Sequence, residues 1–229
     1  MPKKLWEPSK ELIKNSNLFK YEKFVSKNYK YNFSGNYKKL LHWSLTNPKD
    51  FWNSIWKYFK VIGIKTNKFK LTKDFINSKF FVNSKLNFTE NLLVKNSNQK
   101  AITFVSENGY REQKSWKELN IDVKKIITFY KKISISENDR IVAYTPNQIE
   151  TVECFLSASA IGSIWSSCSP DFGVTGVIER FSQIKPKLLI ITDKYYYNGK
   201  EINIIERLPK ILKKIKSIKS VLILNYPGK

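Results

Sequence analysis

Several residue types that usually carry chemistry are almost absent from this chain. It has a single histidine, His42, and a single methionine in 229 residues. Imidazole relays and histidine-rich metal sites are therefore excluded. There are two cysteines, Cys154 and Cys168, with no CxxC spacing; a disulfide framework is excluded and two reduced thiols of a cytoplasmic protein are expected. Cys168 has no histidine near it in sequence to activate it, so no catalytic residue and no metal ligand is assigned. Arginine is scarce: Arg111, Arg140, Arg180 and Arg207 are the only four. The N-terminal MPKKLWEPSKEL lacks the apolar core of a secretory signal. No apolar run approaches the roughly 20 residues of a membrane span. Nowhere does a Gly/Ser/Thr-rich phosphate loop followed by Lys occur, so triphosphate-handling residues are not expected within these positions.

What is present is lysine and aromatic rings. The net charge is +22, from 41 Lys+Arg against 19 Asp+Glu. Such a charge raises the possibility of nucleic-acid binding, but the basic residues are scattered rather than gathered, and lysine lacks the planar fork that reads phosphate and base edges. Lysine also travels with Asn and Ile while Ala is scarce, the bias that AT-rich coding DNA produces. No nucleic-acid or membrane partner is expected. Hydrophobic residues make up 41% and aromatics 14%, enough for a folded core.

Residues 1 to about 90 are aromatic-rich, with Trp6, Trp43, Trp52 and Trp56. Asn47-Pro48-Lys49-Asp50 reads as a helix start with Asn as cap. Phe51, Trp52, Ile55, Trp56 and Phe59 then form one apolar stripe, expected to dock on a neighbouring domain. Leu86–Leu93 starts a short helix with Thr89 as its cap. From Ala101 the pattern becomes regular. Strands 101–105 and 110–114 flank a Glu107-Asn108-Gly109 turn, and Ser115-Trp116-Lys117-Glu118 is a capping box opening a helix to about Lys132. Strand-helix units follow: a strand at 140–145, a helix capped by Asn147 and Glu150 and ending at Gly162, a strand at 164–166, a helix bearing Val174, Val177, Ile178 and Phe181, and a strand at 187–192. A helix holding Ile202, Ile205, Leu208, Ile211, Leu212 and Ile215 then leads to a last strand at 220–224. Such alternation predicts a parallel sheet joined by crossover helices. NYPGK alone follows the last strand, so an open sheet edge and a continuing polypeptide are expected. Lys213-Lys214-Ile215-Lys216 fits the solvated face of an amphipathic helix better than a targeting patch.

The densest stretch is Ala160–Phe181 (AIGSIWSSCSPDFGVTGVIERF), rich in serine and placed just past a strand, where open α/β sheets present their ligand crevice. SIWSSCSPDFG, together with TDKYYYNGK at Thr192–Lys200, resembles the acetoacetate–CoA ligases of the adenylate-forming superfamily. LHWSLTNPKD at Leu41–Asp50 resembles that family's N-terminal cap, LNFTENLL its linker, and Asn138-Asp139-Arg140 with IVAYTPNQIE the first strand and helix of its large sheet. The resemblance implies an α/β fold: an aromatic-rich helical N-terminal cap over 1–95, then an incomplete, mainly parallel sheet with crossover helices over 96–229, the first part of the AMP-binding domain before its phosphate loop.

It further implies an enzyme that activates acetoacetate with Mg-ATP to an acyl-adenylate and transfers the acyl group to CoA. The ATP, Mg and acyl pockets are expected in polypeptide beyond these residues, so the chain is not expected to be catalytic alone. By position, Tyr197-Asn198-Gly199-Lys200 matches a loop that contacts the CoA nucleotide in related enzymes. Lys200 can pair with phosphate, Gly199 permits close backbone approach and Tyr197 can stack on adenine. The other reading of these four residues is a plain strand-to-helix turn. Trp165, Ser167 and Asp171 either line the tunnel for the pantetheine arm or cap the following helix, with Ser169-Pro170-Asp171 as its start. Functionally, the alternative to a ligase segment is a non-catalytic CoA-binding or scaffolding module.

Overall fold

The computed structural model describes residues 5–228, which divide into two units with the boundary between Leu86 and Asn87. In the first, Ser9, Ser16 and Asn36 accept backbone amides at the starts of α1 (Lys10–Asn15), α2 (Asn17–Tyr29) and α3 (Tyr37–Thr46), satisfying donors that a helix start leaves free. Helix α4 (Pro48–Tyr58) begins with proline in its first turn. Asn47 makes no side-chain cap there; its amide instead donates to the Trp43 carbonyl at the end of α3, so the expected cap serves the preceding helix.

Around Trp43 gather Tyr29, Phe33 and Phe51, with ring centroids 5.7, 5.7 and 6.3 Å away. These edge-on contacts suit the ring quadrupoles. The Tyr21 and Ser54 hydroxyls, both buried, meet at 2.6 Å. The stripe on α4 makes contacts within this unit. Phe51 and Ile55 join the Trp43 cluster, and Trp52 and Trp56 meet Phe80 and Phe81 at 5.5 and 5.0 Å. Only Phe59 of the stripe is largely exposed.

The second unit opens with α5 (Phe88–Leu92), capped by Asn87; Thr89 lies inside the helix and donates to the Leu156 carbonyl at 2.7 Å. The expected cap was thus two residues late. Strands β1 (Lys100–Val105) and β2 (Arg111–Ser115) form an antiparallel hairpin. Ser115 and Glu118 make the expected capping box at the start of α6 (Trp116–Lys132). Then come β3 (Arg140–Tyr144), α7 (Ile149–Ala160), β4 (Ile164–Cys168), α8 (Val174–Ser182), β5 (Leu188–Thr192), a hairpin of β6 (Lys194–Tyr197) and β7 (Lys200–Asn203), a one-turn 3-10 helix (Ile205–Arg207), α9 (Leu208–Lys214) and β8 (Ser220–Leu224).

The main sheet is parallel, in the order β4-β3-β5-β8. All five residues of β5 are buried, the pattern of a strand covered on both faces. Ile141, Ala143, Leu188 and Ile190 face Tyr130 of α6 and Cys154 and Ala158 of α7. Val142, Tyr144, Leu189 and Ile191 face Val177 and Phe181 of α8 and Ile211 of α9. Each such Leu or Ile contributes about 1.5–3 kcal/mol on full burial.

Lys114 of β2 ties the α6–α7 side together. Its ammonium lies 2.7 Å from both Asp122 and the nearly inaccessible Glu153. Burial pushes the Glu153 pKa up despite the lysine, whereas Asp122 is held low by Lys114 and Lys125 although burial opposes it.

Three local expectations are corrected here. Gln148, without a side-chain cap, precedes α7, so Asn147 is left in the loop. Strand β4 runs past Ser166 through Ser167 and Cys168, paired to β3. The stretch after Thr192 is a hairpin, with Ile202 in β7, and α-helix begins only at Leu208, after the 3-10 turn.

Candidate functional site

From β3 the chain turns to one side to make β4, and from β5 to the other side to make β8. The switch therefore lies between the carboxyl ends of β3 and β5, the position where open α/β sheets bind ligands. A cavity of about 320 Å³ opens there. Its walls are the β3 exit (Thr145, Pro146, Asn147), Thr151 of α7, the end of β4 with its loop (Ser167–Asp171), and Tyr195, Tyr196 and Tyr197 of β6.

The loop after β4 is held from below. The Arg207 guanidinium donates to the Pro170 and Phe172 carbonyls at 3.0 and 3.1 Å and to the Tyr144 hydroxyl. That hydroxyl in turn reaches the same two carbonyls at 3.0 and 2.5 Å. A guanidinium with several acceptors is a charge-assisted brace. Asp171 completes it from the other side, accepting from the Tyr195 hydroxyl at 2.7 Å and from Ser169 at 2.8 Å. Those two hydrogen bonds hold the Asp171 carboxyl below the usual carboxylate range. Burial, then the Asp171 hydrogen bond, pushes the Tyr195 hydroxyl up to about 12. These partners make Asp171 a fastening point for the loop. It does not start α8, whose N-cap is Gly173 without a side-chain bond.

The hairpin gets its shape from Asn198 and Gly199, both at positive φ (51° and 71°), the demand of a two-residue type I′ turn. The Gly199 amide donates to the Glu107 carboxylate in the β1–β2 turn at 3.3 Å. Lys200 stands exposed at the tip, paired with Tyr197 in register. Lys194 is engaged by Glu201 at 2.8 Å.

Of the residues singled out from sequence, Ser167, Asp171 and Tyr197 line the cavity together. Asn198, Gly199 and Lys200 form the adjoining hairpin tip. Trp165 is not in the wall; it packs edge-on to Phe155 of α7 at 5.8 Å. Thr145, Asn147, Tyr195 and the bracing Arg207 were not singled out. The rule that ligands gather at strand ends points to the first two, while nothing local in sequence marks Arg207.

Chemically the wall is hydroxyl, amide and aromatic. Asp171 is its only charged member, and it is already bonded. Cys168 is buried and its thiol is pushed up by that burial, the opposite of an activated nucleophile. No group of three His, Cys, Asp or Glu side chains able to hold a metal ion occurs among the described residues. Nor is any helix among them long and apolar enough to cross a membrane.

Comparison with known proteins adds identity to this geometry. Acetoacetyl-coenzyme A synthetase of Rhizobium meliloti (strain 1021) is 34% identical over 92% of this chain and 32% of its own length. The Mus musculus acetoacetyl-CoA synthetase is 36% identical over 84% of this chain and 29% of its own length. The solved acetoacetyl-CoA synthetase from Streptomyces lividans, at 24% identity, superposes with a TM-score of 0.92 over 100% of this chain and 36% of that one, which establishes the fold. The chain spans about a third of the length of the curated relatives it matches. The AMP-binding enzyme model matches residues 91–228, more than half of the chain, and the protein belongs to that family.

Proposed function

We propose that this chain supplies the N-terminal cap and the CoA-facing part of an acetoacetate–CoA ligase, an ATP-dependent enzyme that joins acetoacetate to CoA. On this reading residues 1–95 are the cap segment and 96–229 the first part of the AMP-binding domain. One observation carries it: the crevice at the sheet's switch point is walled by hydroxyls and tyrosines without a free charge, and a lysine stands at its rim. CoA has that division, an uncharged amide-bearing arm and a phosphorylated nucleotide. The arm fits the crevice, between Ser167, Thr145 and the Tyr195–Tyr197 strand. The phosphates belong outside it, near Lys200, with the Tyr197 ring available to adenine.

What these residues do is bind and orient. The Arg207–Tyr144 brace keeps the 169–172 loop in one shape, so the arm meets a preformed wall and less ordering is lost on binding. ATP does not fit in the same way, because no glycine-rich loop followed by lysine is present; no part of its handling is assigned to these residues.

Calorimetric titration of the chain with CoA tests the proposal. Saturable one-to-one binding is expected, weakened about tenfold by Lys200→Ala and by added salt. Absence of binding overturns the CoA assignment. ATP–pyrophosphate exchange by the chain alone would overturn the division of labour.

A further inference from the structure

The Glu107 carboxylate sits where another anion would fit. It belongs to the turn between β1 and β2, and it accepts from the Gly199 amide of the β6–β7 hairpin at 3.3 Å, across 92 positions of sequence. Both residues are exposed. The turn is closed by its own backbone: the Ser106 amide donates to the Tyr110 carbonyl at 3.0 Å and the Gly109 amide to the Ser106 carbonyl at 3.1 Å. The Glu107 side chain can therefore swing away while its backbone stays in place, and a long, solvent-exposed hydrogen bond is a weak hold. The hairpin tip, for its part, offers an anion two things. A side chain at Gly199 would meet no atom within 4 Å, so a ligand can come up to that backbone. Lys200, the next residue, is exposed and takes part in none of the ion pairs among the described residues. The hairpin's other lysine, Lys194, is held by Glu201. A backbone amide next to an unpaired ammonium suits a phosphate, yet here the amide is taken.

We propose that Glu107 is an internal competitor at the hairpin tip, its carboxylate holding the Gly199 amide until a phosphate group that binds this amide and Lys200 displaces it. The proposal rests on the CoA assignment and deepens it, by naming what the nucleotide end must dislodge. Like charges at one donor repel, so Glu107 lowers the affinity of the tip for any phosphate. A ligand anchored elsewhere, as CoA is by its arm in the crevice, overcomes that penalty; a loose phosphate does not. Selectivity then comes from the repulsive group as much as from the attractive one.

Glu107→Gln removes the charge and keeps the size; Glu107→Ala also frees the amide. Both are titrated with CoA, with adenosine 3′,5′-bisphosphate, which lacks the arm, and with pantetheine, which lacks the phosphates. Both variants are expected to bind CoA and the bisphosphate about two- to fivefold more tightly than the parent, and pantetheine unchanged. In about 0.5 M salt most of that gain should disappear, because it is a gain in charge balance. If neither variant binds CoA or the bisphosphate more tightly than the parent, Glu107 is no competitor although the CoA assignment stands. If pantetheine binding rises by the same factor, the substitutions act through the shape of the crevice and the proposal is overturned. If the parent and both variants bind neither CoA nor the bisphosphate, the CoA assignment fails and the Glu107 proposal with it.

Discussion

Residues 5–86 and residues 87–228 solve the problem of burial in different ways. In the first, the buried hydrophobics are Tyr21, Val25, Phe33, Leu40 and Trp43, and cohesion comes from rings meeting edge to face around one tryptophan. In the second, aliphatic residues alternate across a parallel sheet, and helices on both faces cover them. The first unit also leaves many large hydrophobics exposed, Leu45, Phe59, Phe75 and Ile76 among them. A sheet covered on both sides distributes its stability over many equivalent contacts. A cluster centred on one ring concentrates it. The difference teaches where each unit is vulnerable: the sheet unit to a loss of charge balance at its border, the helical unit to the loss of a single side chain.

The largest effect is expected where the sheet unit breaks its own rule and buries charge. Lys114→Met strands Glu153, 3% exposed, without its counter-ion. Removing one partner of such a pair costs about 3 kcal/mol or more, read as a fall in the urea midpoint of the second unit. A Lys114→Met/Glu153→Leu double variant should recover most of it.

Trp43→Ala comes next, at about 3 kcal/mol. Amide exchange should lose protection over 21–58 while 140–192 keep theirs. Equal loss in both stretches would show that the two regions unfold as one and would dissolve the comparison.

The smallest effects belong to the crevice. Gly199→Ala meets no atom within 4 Å but must keep φ at 71°, a backbone cost of about 1 kcal/mol. Asp171, whose pKa is lowered on folding by the Tyr195 and Ser169 hydroxyls, contributes stability that is present above the ordinary aspartate range. That contribution is lost as pH falls through its depressed value. Asp171→Asn should therefore flatten the acid limb of the melting curve.

Legibility in the sequence followed how local each cause is. The Ser115–Glu118 capping box and the alternation of strands with helices depend on neighbours within a few positions, and both appear as expected. The β6–β7 hairpin was hidden because Ile202, Ile205, Leu208 and Ile211 continue a helical spacing straight through a strand. The Asn-Gly pair, a strong hairpin signal, was the better guide. The reach of β4 on through Ser167 and Cys168 was hidden for a different reason: pairing with β3 overrides poor strand propensity. Ser167, Asp171 and Tyr197, singled out by motif, stand together in the wall of the crevice. Trp165 was drawn away by Phe155, and the grip of Arg207 on the Pro170 and Phe172 carbonyls is a property of three-dimensional surroundings that no residue pattern encodes.

The brace has a consequence for synthesis. Arg207 lies 37 positions downstream of the Pro170 carbonyl it grips. While a ribosome is still making the intervening hairpin, strand β4 can already lie beside β3, yet the turn beyond it lacks the guanidinium and has the Tyr144 hydroxyl of β3 as its cross-strand hold. The pocket wall is thus among the last parts of this region to settle, and a nascent chain stalled before Arg207 should show that turn open to a protease while the strands behind it are already closed.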